Sequence, residues 1–305
     1  MAEAVLARYE LDEPRLSYLA WETNLLYSVT ERGGRRLVLR LASPGWRTLC
    51  DLRSEALWLE ALVRDTDVPA PRIVSNRSGQ MVTSERDPSD GERWNASLMT
   101  WVPGRCLGGY LTESNVSKMG ALFATLHAHG RRWARPAGFT TRRFDHWLSR
   151  GEPNRIFEER SDPLLFRMDR AVRDAYAGVD SDDLRVIHCD LWHGNIRLYR
   201  GVLHPFDFED TLLGFRAHDI GMAMLDLLET VGEDAYPRLR AAFRDGYAEH
   251  LPWPSDPIEP FQIGRLLWKL NWVARHEPSW TDYAVQRHLP VFEEFERSGA
   301  VVLPR

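Results

Sequence analysis

In the stretch His188-Cys-Asp-Leu-Trp-His-Gly-Asn195, a carboxylate, Asp190, stands two residues after a histidine and five before an asparagine; a second carboxylate, Asp207, follows two short strand-like runs. An alcohol is a poor nucleophile near neutral pH, so a carboxylate within hydrogen-bond reach must orient it and take its proton as a new bond forms. Asp190 is placed to be that base. Amide and carboxylate oxygens are hard ligands that suit Mg2+, and Asn195 and Asp207 supply them. A cation held this way neutralises the charge that a phosphoryl transition state spreads over its oxygens. His188 is expected to brace the loop through backbone or Asp207, and His193 has no assigned role. Two other readings compete. Asp, Asn and Gly also serve as plain turn residues, and His188, Cys189 and His193 could belong to a metal cluster, but no second Cys or His group completes a zinc site.

The same order of residues matches the kinase signature H-R-D-L-x-x-x-N followed by D-F-G, in which the first Asp accepts the hydroxyl proton and the Asn and second Asp hold the metal. Upstream, Arg40 in Leu37-Val-Leu-Arg40-Leu occupies the place of the basic residue on a kinase's third strand, with Glu55 fifteen residues later on an expected helix. The two would form a phosphate-orienting ion pair, Arg offering phosphate a planar fork rather than a point charge. No G-x-G-x-x-G loop is present, so the turn Trp21-Glu-Thr-Asn24 is the candidate phosphate clamp, through its backbone amides. The run Leu98 to Gly104 is where an adenine or guanine would be read by backbone, at Thr100 and Val102. ATP and GTP stand equal as donors.

These residues need a scaffold. Leu25 to Thr30 and Leu37 to Ala42 around Gly33-Gly34 read as a hairpin. Leu52 to Val63 reads as an amphipathic helix. Arg72 to Ser75, Gln80 to Thr83 and Ser97 to Val102 add strands, giving a five-stranded sheet with one helix over residues 1–102. From 103 to 305 the pattern is helical, with helices expected at Val116 to His129, Phe144 to Arg150, Pro163 to Ala177, Ile220 to Val231, Ala235 to His250, Phe261 to Ala274 and Trp280 to Glu296. One β insertion interrupts them, with Val186-Ile187, Ile196 to Tyr199 and Val202 to Phe206 around the Arg200-Gly201 turn. The fold class is α+β, in a small nucleotide-binding lobe and a larger catalytic and substrate-binding lobe.

Bulk properties narrow the function classes. At 305 residues, with 44% hydrophobic and 27% charged positions, the chain can bury a sizeable core. A formal charge of -5 argues against nucleic acid or an anionic membrane as a general partner. Cys50, Cys106 and Cys189 form no C-x-x-C pair. With an acidic start that lacks a signal-peptide pattern and no apolar stretch of membrane-spanning length, a cytoplasmic enzyme is expected.

Taken together, Glu22-Thr-Asn24, Leu37-Val-Leu-Arg40, Glu55-Ala-Leu-Trp-Leu-Glu, Trp101-Val-Pro-Gly104, Leu122 to His127, His188 to Asn195, Phe206-Asp-Phe-Glu-Asp210 and His218-Asp219-Ile-Gly resemble the aminoglycoside phosphotransferase and choline kinase family. The resemblance covers about residues 15 to 280. It implies a protein-kinase-like two-lobe fold, Asp190 as base, Asn195 and Asp207 as magnesium ligands, Arg40 as the phosphate contact, and Asp219 as a structural carboxylate behind the loop. Cys189 departs from the small Gly or Ala usual there, which puts the local geometry in question. Glu209 replaces the family's second Asp and is a further candidate metal ligand. Protein kinases proper are less similar, because helix-forming sequence resumes about ten residues after Asp207, where they carry a peptide platform; a branch of bacterial stress kinases in the family acts on protein serine or threonine.

The acceptor is not named by the fold. Between Asp226 and Glu259 eight carboxylates (226, 229, 233, 234, 245, 249, 256 and 259) face three arginines (238, 240 and 244), an excess that would receive a cationic substrate and that solvated helix faces explain equally well. Trp253, Trp268, Trp272 and Trp280 could stack on sugars, bases or ammonium groups, although core packing is the commoner role. The leading expectation is an antibiotic-type phosphotransferase acting on an aminoglycoside, nucleoside or other sugar-containing compound. A kinase for choline, homoserine or another small alcohol is the runner-up, and a nucleotide-binding regulator without transfer activity is disfavoured by the intact Asp190, Asn195 and Asp207.

Overall fold

The computed structural model describes residues 1–149, 152–158 and 160–303. It divides into two compact units, one of Met1–Arg105, Trp133–Thr141 and Arg197–Thr211, the other of Cys106–Arg132, Arg142–Ile196 and Leu212–Arg305. Asp207 thus groups with the first hundred residues, and Asp190 and Asn195 with the second unit.

The first unit is built on an antiparallel sheet. Its strands are β1 (Arg15–Trp21), β2 (Asn24–Thr30), β3 (Arg36–Ala42), β4 (Ile73–Val74), β5 (Thr83–Arg86) and β6 (Arg93–Thr100), in the order β1-β2-β3-β6-β4 with β5 also on β6. The sheet has six strands where five were expected. The addition, β1, is an edge strand exposed along most of its length, so it lacks the alternation of buried and polar residues that marks a strand. Period-2 alternation sorts β3: Leu37, Leu39 and Leu41 are buried with Val5 and Leu6 of the short helix α1 (Ala2–Leu6) and with Tyr9 just after it, while Val38 and Arg40 point to the other face. Each fully buried leucine contributes roughly 1.5–3 kcal/mol.

Helix α2 (Leu49–Asp65) begins at a capping box, in which Thr48 Oγ1 accepts from the Asp51 amide at 3.1 Å and Asp51 Oδ2 accepts from the Thr48 amide at 3.0 Å. It buries Leu52, Ala56, Trp58, Leu59 and Leu62, and Glu55 with them. The hairpin of Ile196–Tyr199 and Val202–Pro205 turns at Arg200 and Gly201, with φ of 49° and 80°, the left-handed pair a tight hairpin requires.

The second unit is helical: α3 (Glu113–Arg132), α4 (Arg155–Glu158), α5 (Pro163–Gly178), α6 (Arg216–Ala248), α7 (Glu259–His276) and α8 (Thr281–Ser298), with a two-stranded ladder of β7 (Arg185–Ile187) and β8 (Leu212–Gly214). Helix α6 is two stretches joined at Gly232, where φ is 72° and ψ 174°; the sequence places its break between Val231 and Ala235. Helices α3 and α6 meet backbone to backbone. A Cβ on Gly120 would lie 2.0 Å from the Phe243 carbonyl oxygen, and one on Gly246 2.0 Å from that of Ser117. Phe123 and Phe243 close the contact edge to face, 5.1 Å apart.

The helix expected from Phe144 is absent through Ser149, and Arg150 lies outside the described residues. Phe144 donates instead to the Leu213 carbonyl at 2.7 Å, and Leu213 to that of Arg142 at 2.9 Å, so the segment extends alongside β8. Trp147 then donates to Asp169 at 2.7 Å. Among the described residues, no helix is long and apolar enough to cross a membrane.

Candidate active site

In the second unit, β7 delivers the chain into the 188–195 loop. Cys189, the residue after buried His188, has φ of 65°. This left-handed conformation costs a β-carbon-bearing residue about 1 kcal/mol, which is why a small residue suits the position. The Cys189 amide is held there by Asp219 Oδ1, which accepts from it at 2.8 Å. Asp219 is 1% exposed, and its other oxygen accepts from His127 Nε2 at 3.0 Å. His127 Nδ1 in turn accepts from the Tyr247 hydroxyl at 3.0 Å. Burial would raise the Asp219 carboxyl, but the bond from His127 and the neighbouring imidazoles outweigh it and hold it below the usual range. Burial keeps His127 neutral and the Tyr247 hydroxyl protonated. Each proton in the chain therefore has one place to be.

Past this anchor, His188 Nδ1 accepts from the Asp190 amide at 3.3 Å. Asn195 Nδ2 donates to the Asp190 carbonyl at 2.8 Å and to Asp190 Oδ2 at 2.9 Å. Arg265 donates to Asp190 Oδ1 at 3.0 Å. Both carboxylate oxygens are thus fixed in direction, and with the Asn195 amide nitrogen turned to Asp190, its Oδ1 faces the other way. Sequence reasoning missed Arg265. It comes from α7, 75 residues on, and only its i,i+4 spacing to Lys269 hinted at a shared face.

The acidic excess of the second unit is partly neutralised. Lys269 donates to Asp226 Oδ1 at 2.8 Å and Glu229 Oε2 at 2.5 Å, and Arg240 donates to Glu259 at 2.6 Å. Asp226 Oδ2, on a residue 8% exposed, has no hydrogen-bond partner among the described residues. His193, from the 188–195 loop, meets Thr230 through Nε2 at 3.1 Å, and burial lowers its pKa although Asp226 opposes the shift. A cavity of about 780 Å³ lies at the Gly232 break, lined by Glu229, Glu233, Asp234 and Lys269 among others. Trp268 and Trp272 stack on each other along α7, and Trp253 packs against Phe243 and Tyr247.

In the first unit, Arg40 and Glu55, each 3% exposed, form a buried ion pair. Arg40 Nη1 also lies 3.8 Å from Asp207 Oδ1. Burial pushes Glu55 upward against the pull of Arg40, while the acids around Arg40 keep its guanidinium charged. Asp207 has φ of 63°, a left-handed conformation that Asp tolerates better than bulkier residues. A cavity of about 280 Å³ opens beside it. Leu26, Val38, Met99 and Phe206 give it apolar walls; Thr100 and Val102 lie along one side, and Asn24, Arg40 and Asp207 at its polar end. The amides of Thr100 and Trp101 are committed to the carbonyls of Arg72 and Arg36, at 2.9 and 3.2 Å.

Arg47 and Trp46, absent from the sequence reading, and Glu209, read there as a candidate metal ligand, complete this end. Arg47 pairs with Asp210 and stacks over Trp46, its guanidinium carbon 4.3 Å from the ring centre. Glu209 accepts from Asn24 Nδ2, from Thr23 Oγ1 at 3.3 Å and from Trp46 Nε1 at 3.4 Å. Among the described residues, no group of three or more His, Cys, Asp or Glu is arranged to hold a metal ion.

Known proteins share this architecture. A microcompartment-associated aminopropanol kinase superposes with a TM-score of 0.79 at 23% identity, covering 99% of both chains. An amicoumacin kinase, hAmiN, solved with AMP-PNP, Ca2+ and Ami, gives 0.82 at 16% identity, covering 100% of this chain and 94% of that one. At these identities the likeness speaks for the fold. A Deinococcus radiodurans protein of uncharacterised activity is 27% identical over 289 residues, 90% of this chain and 81% of that protein. The model of the phosphotransferase enzyme family matches residues 20–255, spanning both units. The chain is therefore a member of that family, and a phosphotransferase.

Proposed function

We propose that the chain moves the γ-phosphoryl group of a nucleoside triphosphate, ATP or GTP, onto a hydroxyl of a small molecule. The observation that carries this reading is the Asp190 carboxylate, fixed by Arg265 and Asn195 on a loop tethered to a buried carboxylate. An acceptor hydroxyl would donate there, be oriented, and lose its proton to Asp190 as the new O–P bond forms and the bond to the departing diphosphate breaks.

Asn195, with Oδ1 turned away from Asp190, and Asp207, its side chain 42% exposed, each carry a hard oxygen donor of the kind Mg2+ takes. When bound, the cation would supply charge neutralisation for the triphosphate. The presence of AMP-PNP and Ca2+ in the amicoumacin kinase supports both donor and cation. Arg40, braced by Glu55, would meet the phosphates, with the base along Thr100 and Val102.

For the acceptor we read an antibiotic-type, sugar-containing molecule that bears an amine. Asp226 Oδ2, buried and with no hydrogen-bond partner among the described residues, favours a donor-bearing cation. The test is nucleoside diphosphate release with ATP and GTP across aminoglycosides, nucleoside antibiotics, choline, homoserine and a generic protein. A stimulated rate that falls about 10²–10⁴-fold in Asp190→Asn, with nucleotide affinity retained, is expected; near-normal turnover in that variant refutes the role of Asp190.

A further inference from the structure

A phosphate clamp without glycines cannot wrap its backbone closely around an anion, so the turn between β1 and β2 must be held in place by something else. That something is visible at Glu209. Its carboxylate gathers a side-chain amide from β2, a hydroxyl from the turn and an indole N–H from the loop between β3 and α2. The next residue, Asp210, secures the same β3–α2 loop through Arg47, and Asp207, two residues before Glu209, faces Arg40. Residues 207–210 therefore tie three elements of the first unit together within a single turn of chain.

We infer that Glu209 is a positioning residue that fastens the β1–β2 turn at the donor phosphates, acting through Asn24, and is not a ligand of the metal. The inference rests on the proposed donor site. A carboxylate offers about four lone-pair directions, and three donors already take most of them. Asn24 is 6% exposed and lines the donor cavity, so its orientation decides the shape of the cavity's polar end. Charge-assisted hydrogen bonds of this kind are stronger than neutral ones, which suits a tether that must survive the arrival of a triphosphate.

The experiment measures binding of magnesium nucleotide directly, by calorimetry without acceptor, in the parent, Glu209→Ala, Glu209→Gln, Asn24→Ala and the Glu209→Ala/Asn24→Ala double variant. Glu209→Ala and Asn24→Ala should each weaken affinity about tenfold, the loss expected for a hydrogen bond to a charged group. Residues acting through one another give non-additive losses, so the double variant should be no worse than either single one. Glu209→Gln keeps an oxygen for Asn24 and should stay within about threefold of the parent. The Mg2+ concentration for half-maximal binding should not move. Additive losses, an unchanged affinity in Glu209→Ala, or a tenfold rise in the Mg2+ requirement would each overturn the inference. A parent that binds no nucleotide would instead overturn the proposed function, and this inference with it.

Discussion

Replacing Arg40 by Met leaves the Glu55 carboxylate 3% exposed with its ion-pair partner gone. Breaking a buried pair from one side costs about 3–5 kcal/mol. The chain can escape that cost only by protonating Glu55. From an ordinary value of about 4.3, protonation at pH 7.5 costs about 4 kcal/mol and at pH 5.5 about 2 kcal/mol, at 1.36 kcal/mol per unit. The loss in Arg40→Met is therefore capped near those two figures. The sign follows from burial, which raises Glu55 in the folded protein. The folded state then binds more protons than the unfolded one, so the variant's stability falls as pH rises from about 4.3 towards the folded value. A second change, Arg40→Met with Glu55→Leu, replaces the pair by apolar groups of similar size and should recover most of the loss. Urea unfolding at pH 5.5 and 7.5 measures all of this, and nucleotide binding should remain lost in the double variant. Equal losses at the two pH values, or a double variant no more stable than the single one, would refute the reasoning.

Two further outcomes rest on the second unit. Burial and the nearby Arg265 lower His218 to about 4, whereas an unfolded histidine titrates near 6.5. The unfolded chain therefore takes up a proton first, and stability present at neutral pH is lost as pH falls from about 6.5 to about 4, by up to about 3 kcal/mol; stability curves of His218→Gln should lack that portion of the acid slope. Gly246→Ala would place its Cβ 2.0 Å from the Ser117 carbonyl oxygen, so at least about 1–3 kcal/mol of stability should go. Thermal unfolding reads it, with Gly109→Ala, which meets nothing within 4 Å, expected to stay within about 0.5 kcal/mol of the parent.

What the sequence showed and what it hid divide along one line. Features carried by neighbours in the chain were legible. The Arg200-Gly201 turn needs only its own φ angles, α2 only its apolar period and its cap, and the break in α6 only a glycine. The meeting of Arg40 with Glu55 was legible for a related reason, since a strand and the helix that follows it pack together. By contrast, Arg265 reaches Asp190 across 75 residues and Glu209 reaches Asn24 across 185. No local period encodes such pairings. Tertiary contacts also overrode local pattern. The residues from Phe144 read as a helix, yet Trp147 and Phe144 are held by Asp169 and the Leu213 carbonyl, and these contacts keep the described part of the segment out of a helix. The strand expected at Gln80 to Thr83 lies at Thr83–Arg86, because its register is set by β6 rather than by its own β-branched residues.

The tether of the Cys189 amide to Asp219 has a consequence for motion. Loop amides ordinarily exchange with solvent through small local openings. This one is donated to a carboxylate that is itself buried and held by His127 of α3, so releasing it means separating β7 from two helices at once. The Cys189 amide should exchange as slowly as the centre of α6. The loop bearing Asp190 would then be as rigid as the helical core, leaving any rearrangement during turnover to parts of the molecule not tied to that carboxylate.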